Sequence, residues 1–266
     1  IDIKTVFEAD LVGISTITST APRAYELSTQ IRKRGIPVMM GGAHVTFMAE
    51  EALQYCDYVL RGEAEGAIVP LVKALESGEG LGDVSGLSFR VGNQTFHNPE
   101  VPPCHNMDEI PFPDFSLIRS PKGSIRPIMT SRGCPYDCSF CATKTLHPRF
   151  TLRQPRDVVD EVIKVYQVYN VKQFAFYDDA LFSNKENHIK PVLRALIDQG
   201  LGVRFHTPNG LFAREIDLEL AELMKKAGFA TVRLSLESSV KKWQKEASAK
   251  VSRQDFQKAV LNLKKA

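Results

Sequence analysis

"TSRGCPYDCSFCATK", residues 130–144, sets Cys134, Cys138 and Cys141 on one short stretch and spaces them with Gly133, Pro135 and Asp137. Glycine and proline at that density mark a loop. Thiolates hold iron-sulfur clusters, and a four-iron cluster bound by three protein cysteines keeps one iron open for another ligand. One loop can wrap three corners of such a cube, whereas a strand, with side chains on alternate faces, cannot. Zinc is the alternative. It takes four closed ligands, and the fourth would come from His147, Cys104 or Cys56.

The chain on either side of the loop alternates between strand and helix patterns. Residues 125–133 (IRPIMTSRG) read as a strand that delivers the chain into the loop. After the loop, 154–170 has Val158, Val162 and Val165 at helical spacing and is followed by a strand over 171–180. A helix over 184–200, a strand over 201–210, a helix over 215–229 and a strand over 230–238 come next. The chain then runs through a connecting segment into a helix with Phe256, Val260 and Leu263 on one face. Four strands, each followed by a helix, predict half or more of a parallel βα barrel, whose reactive site lies at the carboxyl ends of its strands. Those ends carry Tyr177, Asp178 and Asp179, then Thr207 and Asn209, then Ser235, Glu237 and Ser238. Each also reads as a turn or cap residue.

The first hundred residues alternate in the same way. ADLVGIS (9–15) is an apolar run of the kind found in strands buried on both faces. APRAYELSTQIRKRG (21–35) is a helix with Pro22 in its first turn and Gly35 closing it. IPVMMGG and CDYVLRGE read as two more strands, and GLSFRVGNQTFHNP as a hairpin turning at Gly92 and Asn93. An open parallel sheet gathers ligands outside the carboxyl ends of its strands. Ser15, Thr16 and Thr18 follow the first strand there, and Gly41 and Gly42 follow the second. Residues 98–125 are rich in proline and read as a linker, with Cys104 and His105 as incidental neighbours within it.

The chain has 266 residues, 43% hydrophobic and 24% charged, with a formal net charge of +3. This balance belongs to a globular protein, and the charge is too small and too evenly spread to argue for nucleic acid. No long apolar run suggests a membrane span, and no leader pattern is present, so the expected compartment is the cytoplasm. There, clustered cysteines serve metals or catalysis rather than disulfides. The chain opens at Ile1 and ends within a helical pattern, so both end domains are expected to be incomplete.

The loop Cys134-x-x-x-Cys138-x-x-Cys141, with aromatic Phe140 before its last cysteine, resembles the signature of the radical S-adenosylmethionine (SAM) superfamily. The resemblance implies a [4Fe–4S] cluster on these three thiolates. Its open iron would chelate SAM, and one electron would cleave the sulfonium to methionine and a 5'-deoxyadenosyl radical. It further implies Phe140 beside the adenine, Tyr177 and Asn209 in the SAM pocket, Asp178 or Asp179 on the methionyl amine, and Ser235 and Glu237 at the ribose or carboxylate. In front, GISTIT, MMGGAHVT and DYVLRGEAE resemble a cobalamin-binding domain, in which Ser15, Thr16 and Thr18 would meet the dimethylbenzimidazole tail and Gly41 and Gly42 would let it lie close. The Asp-x-His-x-x-Gly loop that binds cobalt in other cobalamin proteins is absent from this sequence, and His44 is not expected to replace it.

The expected architecture is therefore α/β: a Rossmann-like, flavodoxin-like parallel sheet over 1–97, a linker over 98–125, and a partial radical SAM barrel over 126–266. The pattern is similar to the cobalamin-dependent group that contains the anaerobic magnesium-protoporphyrin ester cyclase and the hopanoid and phosphonate methylases. It implies an enzyme acting on a small molecule, with flavodoxin or ferredoxin as electron donor and cobalamin as methyl carrier. A radical cyclisation or rearrangement without methyl transfer is the alternative. A non-catalytic module that senses cobalamin or holds zinc is the alternative from another class.

Overall fold

The parallel strands of the front half have apolar side chains on both faces, so the sheet that forms must be covered on both sides. In the computed structural model, which describes residues 3–102, 106–118, 124–247 and 250–266, this is what happens. Cys104 and His105 lie outside the described residues. The chain divides into two compact units, Ile1–Cys104 and His105–Ala266.

In the first unit, α1 (Ile3–Val6) precedes β1 (Val12–Ser15), α2 (Ala21–Arg32), β2 (Val38–Gly41), α3 (Ala43–Phe47), α4 (Ala49–Ala52), β3 (Tyr58–Leu60), α5 (Ile68–Ser77), β4 (Leu87–Val91) and β5 (Gln94–His97). The sheet runs β1-β2-β3-β4-β5, with β1, β2 and β3 parallel and the β4–β5 hairpin closing the edge antiparallel. Val91 pairs with Gln94, which leaves Gly92 (φ +60°) and Asn93 as a two-residue turn. Val38, Met40 and Val59 pack with Ala24, Tyr25 and Ile31 of α2 on one face. Met39, Tyr58 and Leu60 pack with Leu71 and Ala74 of α5 on the other.

The second unit follows as β6 (Arg126–Ile128), β7 (Ser131–Arg132), α6 (Thr143–Leu146), β8 (Thr151–Leu152), α7 (Pro155–Tyr169), β9 (Gln173–Phe176), α8 (Ile189–Gln199), β10 (Arg204–His206), β11 (Leu211–Phe212), α9 (Leu218–Ala227), β12 (Phe229–Thr231), β13 (Leu234–Ser235), α10 (Lys241–Ala247) and α11 (Arg253–Lys265). Four strands form one parallel sheet in the order β12-β10-β9-β6. Phe174, Phe176 and Phe205 point to one face, where Val158, Val162, Ile189, Leu193, Leu220 and Met224 of the three following helices bury them. Their strand neighbours point the other way. Pro127, Ala175, Tyr177, His206 and Thr231 line a cavity of about 610 Å³ on the uncovered face.

Several local features differ from the sequence reading, among them the strand expected over 230–238, which splits into β12 and β13, the latter pairing with β11. The strand expected over 125–133 breaks after Ile128, and Ser131 and Arg132 pair antiparallel with Leu152 and Thr151. The cysteine loop is therefore an excursion closed at its base by a short ladder. The helix expected over 184–200 begins at Ile189, which places Pro191, with its missing amide, in the first turn. Finally, part of the proline-rich stretch is docked onto the second unit. Phe115 joins the core, Asp114 accepts from the Tyr169 hydroxyl at 2.9 Å, and Asp108 accepts from the Gln154 amide at 3.0 Å.

Candidate functional site

The loop from Gly133 to Phe150 sits at the carboxyl ends of the parallel strands and folds back on itself at its first residue. Gly133 has φ +79°, and a Cβ there would stand 2.3 Å from the Arg149 carbonyl oxygen. Only glycine accepts both the left-handed backbone and that approach. Beyond it, Cys134 is half-buried, Cys138 buried and Cys141 exposed, and all three are free thiols. The Cys141 amide donates to the Cys138 carbonyl at 3.0 Å. Among the described residues, no three His, Cys, Asp or Glu side chains stand close enough to enclose a single metal ion.

Aromatic and ionic contacts hold the loop from outside. Tyr136 packs edge-on against Phe212 at 4.8 Å between ring centroids, and Arg214 lies 5.5 Å over the Tyr136 ring while donating to its hydroxyl. Lys250 stands 4.7 Å over Phe212 and 2.7 Å from Glu237, with both ionic side chains largely buried. Burial acts to lower the Lys250 ammonium, but the Glu237 hydrogen bond and charge, with Cys138 and Cys134 beyond, outweigh it and hold the group above its ordinary value. Burial pushes the Cys134 thiol up, opposed by the Tyr136 amide and Lys250.

The two strand-end acids part company. Asp179 is half-buried and accepts from the Gly133 amide. Burial raises its carboxyl, while His147 and that amide work against the rise. Asp178 is only 3% exposed. Its Oδ1 accepts from the Thr130 amide at 2.9 Å, the Thr130 hydroxyl at 2.7 Å and the Ser131 hydroxyl at 2.7 Å. Burial pushes this carboxyl up to about 6 against those hydrogen bonds. The folded protein then holds a proton between about pH 4 and 6 that the unfolded chain has released, so this group lowers stability as pH rises through that window and adds no further change above it. In the metal-free protein, Asp178→Asn should gain on the unchanged protein by up to about 3 kcal/mol between pH 4 and pH 7. Denaturant melts at the two pH values measure it, and an equal difference at both would refute the buried-carboxyl account.

The remaining expected residues are placed as follows. Tyr177 is 48% exposed and lines the cavity, and Phe140 is 63% exposed. Asn209 donates to the carbonyls of Tyr177 (3.0 Å) and Asp178 (3.2 Å), so its amide ties two strand ends together. Ser235 lies against Gly210, where a Cβ would come within 2.1 Å of the serine oxygen. Tyr136, Phe212, Arg214 and Lys250 were not marked by the sequence. Lys250 is more than a hundred residues from the cysteines it faces, and no local pattern signals that.

In the first unit, Ser15 is exposed at the end of β1, whereas Thr16 is buried and spends its hydroxyl on the Ile17 carbonyl and on Thr20. Thr18 lies 3.2 Å from His44 Nδ1, and the Tyr25 hydroxyl lies 2.9 Å from His44 Nε2. Both ring nitrogens of His44 are thus within hydrogen-bond distance of a side-chain hydroxyl. Gly42 (φ +99°) approaches the chain so closely that a Cβ would meet the Thr16 carbonyl oxygen at 2.6 Å, while one on Gly41 would find only the Leu60 carbonyl at 3.8 Å. Cys56 donates to the Ala52 and Tyr58 carbonyls, and burial pushes its thiol up to about 12.

Comparison with known proteins matches both units. A family model for the radical SAM superfamily covers residues 128–266, and one for the B12-binding domain covers 1–72. The chain is 32% identical over 244 residues to an uncharacterized methyltransferase of Pyrococcus horikoshii, covering 88% of this chain and 52% of that protein. It is 29% identical over 256 residues to the anaerobic magnesium-protoporphyrin IX monomethyl ester cyclase of Rubrivivax gelatinosus, covering 88% and 45%. The chain thus spans about half the length of these relatives. Its fold matches a radical SAM methyltransferase from Kitasatospora setae, solved with tryptophan and a SAM analogue, with a TM-score of 0.80, 19% identity, and coverage of 99% of this chain and 57% of that one.

Proposed function

The chain belongs to the radical SAM superfamily and carries a B12-binding domain ahead of its radical SAM domain, and on that premise we propose that it serves an enzyme that methylates an unactivated carbon of a small molecule. The observation that carries this reading is the three-thiol loop held at the carboxyl ends of four parallel strands, faced by Lys250 and Glu237. A [4Fe–4S] cluster on that loop would supply the open iron and the electron that cleave SAM to methionine and a 5'-deoxyadenosyl radical, and cobalamin would supply the methyl group.

The chain's own residues then have separate tasks. Cys134, Cys138 and Cys141 are the cluster ligands. Asp179, Ser235, Glu237 and Asn209 border the space that SAM would fill, with Phe140 beside the adenine and Tyr177 on the cavity wall. The apolar side chains Pro127, Met129 and Ala175 keep water from that wall. In the front domain, over 1–97, the open Ser15 hydroxyl and the bare backbone at Gly41 and Gly42 receive the cobalamin tail, while Thr16 and Thr18 hold the turn. A linker over 98–125 joins it to the radical SAM core over 126–266. The electron comes from a flavodoxin or ferredoxin.

The test is anaerobic reconstitution with iron and sulfide, then dithionite and SAM, with 5'-deoxyadenosine and S-adenosylhomocysteine followed by mass spectrometry with and without methylcobalamin. Both products support methyl transfer. Deoxyadenosine alone shifts the reading to a radical cyclisation or rearrangement, the reaction class of the cyclase relative, and a colourless protein overturns it. A second prediction separates the two glycines. Gly41→Ala should leave the fold intact and weaken cobalamin binding, whereas Gly42→Ala should destabilise the first unit with or without cobalamin, by about 2 kcal/mol or more. Thermal melts with and without cobalamin read both, and equal melts for the two variants would refute the assignment.

A further inference from the structure

The Asp178–Asp179 pair stands where a ligand-binding acid is expected, yet the two carboxylates are built into different surroundings. Successive side chains at a strand end point to opposite sides. Asp179 turns to the Gly133 amide, next to Cys134. Asp178 turns inward and takes three donors on a single oxygen, all from Thr130 and Ser131, which lie just ahead of the first thiol. Its other oxygen, Oδ2, is buried and has no hydrogen-bond partner among the described residues.

Thr130 is gripped from further directions as well. Its carbonyl accepts from the Arg153 amide at 2.9 Å, and its hydroxyl lies 3.0 Å from His188 Nε2. Arg153, itself buried, donates to the Met129 carbonyl at 2.9 Å and pairs with Glu161. Strand β6 ends just before this point, and the ladder that closes the cysteine loop starts just after it. Thr130 is therefore the pivot between sheet and loop, and Asp178 is the group that binds it through both main chain and side chain.

We propose that Asp178 is a positioning residue that sets the placement of Cys134, and through it the cluster, by clamping Thr130 and Ser131, and that it does not touch SAM. The proposal rests on the cluster reading above for its effect on activity, but the clamp itself is a property of the metal-free chain. An amide oxygen accepts the same three donors, and an amide nitrogen would take the place of the unpartnered oxygen. Asparagine should therefore keep the clamp, and alanine should release it.

The experiment compares the unchanged protein with Asp178→Asn, Asp178→Ala and Ser131→Ala. In the metal-free protein, the alkylation rate of half-buried Cys134 is read by mass spectrometry, with Cys56 as internal control. It should rise about tenfold in Asp178→Ala as the loop opens locally, and stay close to the unchanged value in Asp178→Asn. After reconstitution, deoxyadenosine formation should fall about a hundredfold in Asp178→Ala with the KM for SAM little changed, and the electron paramagnetic spectrum of the reduced cluster should shift. Ser131→Ala, which removes one donor, should lie between, and carries the test if Asp178→Ala does not fold. If asparagine is as damaging as alanine and raises the KM for SAM, the carboxylate contacts the ligand and the proposal is overturned. Unchanged alkylation in Asp178→Ala and Ser131→Ala also overturns it. A reconstituted wild-type protein without a cluster, but with the expected alkylation pattern, sinks the cluster reading and leaves the clamp standing.

Discussion

A Cys138→Ala protein, reconstituted anaerobically and reduced in the presence of SAM, is expected to release no 5'-deoxyadenosine above background. Three thiolates are the smallest set that holds a four-iron cluster with one iron open, so removing one leaves the cluster on two anchors or prevents its assembly. Disturbing only an outer-shell partner of a metal ligand costs roughly 10- to 100-fold, so loss of a ligand itself should exceed about a hundredfold. Cys134→Ala and Cys141→Ala should behave alike although the three thiols differ in exposure, because on the proposed reading all three would anchor one cluster. Cys56→Ser supplies the contrast. Its thiol donates to two backbone carbonyls inside the first unit and burial pushes it up to about 12, so its replacement is expected to leave cluster assembly and cleavage unchanged. Full cleavage by Cys138→Ala, or equal loss in Cys56→Ser, would refute the assignment.

Gly133→Ala is expected to do nearly as much damage without touching a thiol. A left-handed backbone costs a non-glycine residue about 1–2 kcal/mol. The larger difficulty is that the new methyl would stand 2.3 Å from the Arg149 carbonyl oxygen and 3.2 Å from that of His147. Neither is the tip of a flexible side chain, so no rotamer change relieves the contact, and the outgoing and returning arms of the loop must separate. That separation breaks the Ser131–Leu152 ladder and takes Asp179 off the Gly133 amide. The expected result is a loss of about 3 kcal/mol or more in denaturant melts, together with little iron uptake on reconstitution. Gly82→Ala, at a site with nothing within 4 Å and no positive φ, controls for the substitution itself. Unaltered iron content in Gly133→Ala would show that the loop has slack that its geometry does not suggest.

Much of this arrangement was legible in the sequence because it depends on neighbours along the chain. The alternation of apolar strands with helices such as 154–170, the hairpin at Gly92 and Asn93, and the cysteine loop are local patterns, and the structure contains each of them. The register of the cysteine loop was not legible. The strand expected over 125–133 stops at Ile128, and just beyond it the Thr130 amide donates to Asp178, a contact across 48 residues.

Sequence by itself determined the two-part α/β order, the three cysteines on one loop, and the polar residues after the strands, since periodicity and spacing are properties of consecutive residues. Only tertiary structure decided which of two adjacent aspartates faces the loop, that Gly42 is required by the Thr16 backbone while Gly41 is not, and that Lys250 pairs with Glu237 beside the cysteines. The physical reason is common to all three. Burial and hydrogen bonding depend on which surfaces meet when the sheet and its loops close, and a linear string of residues carries no record of that meeting.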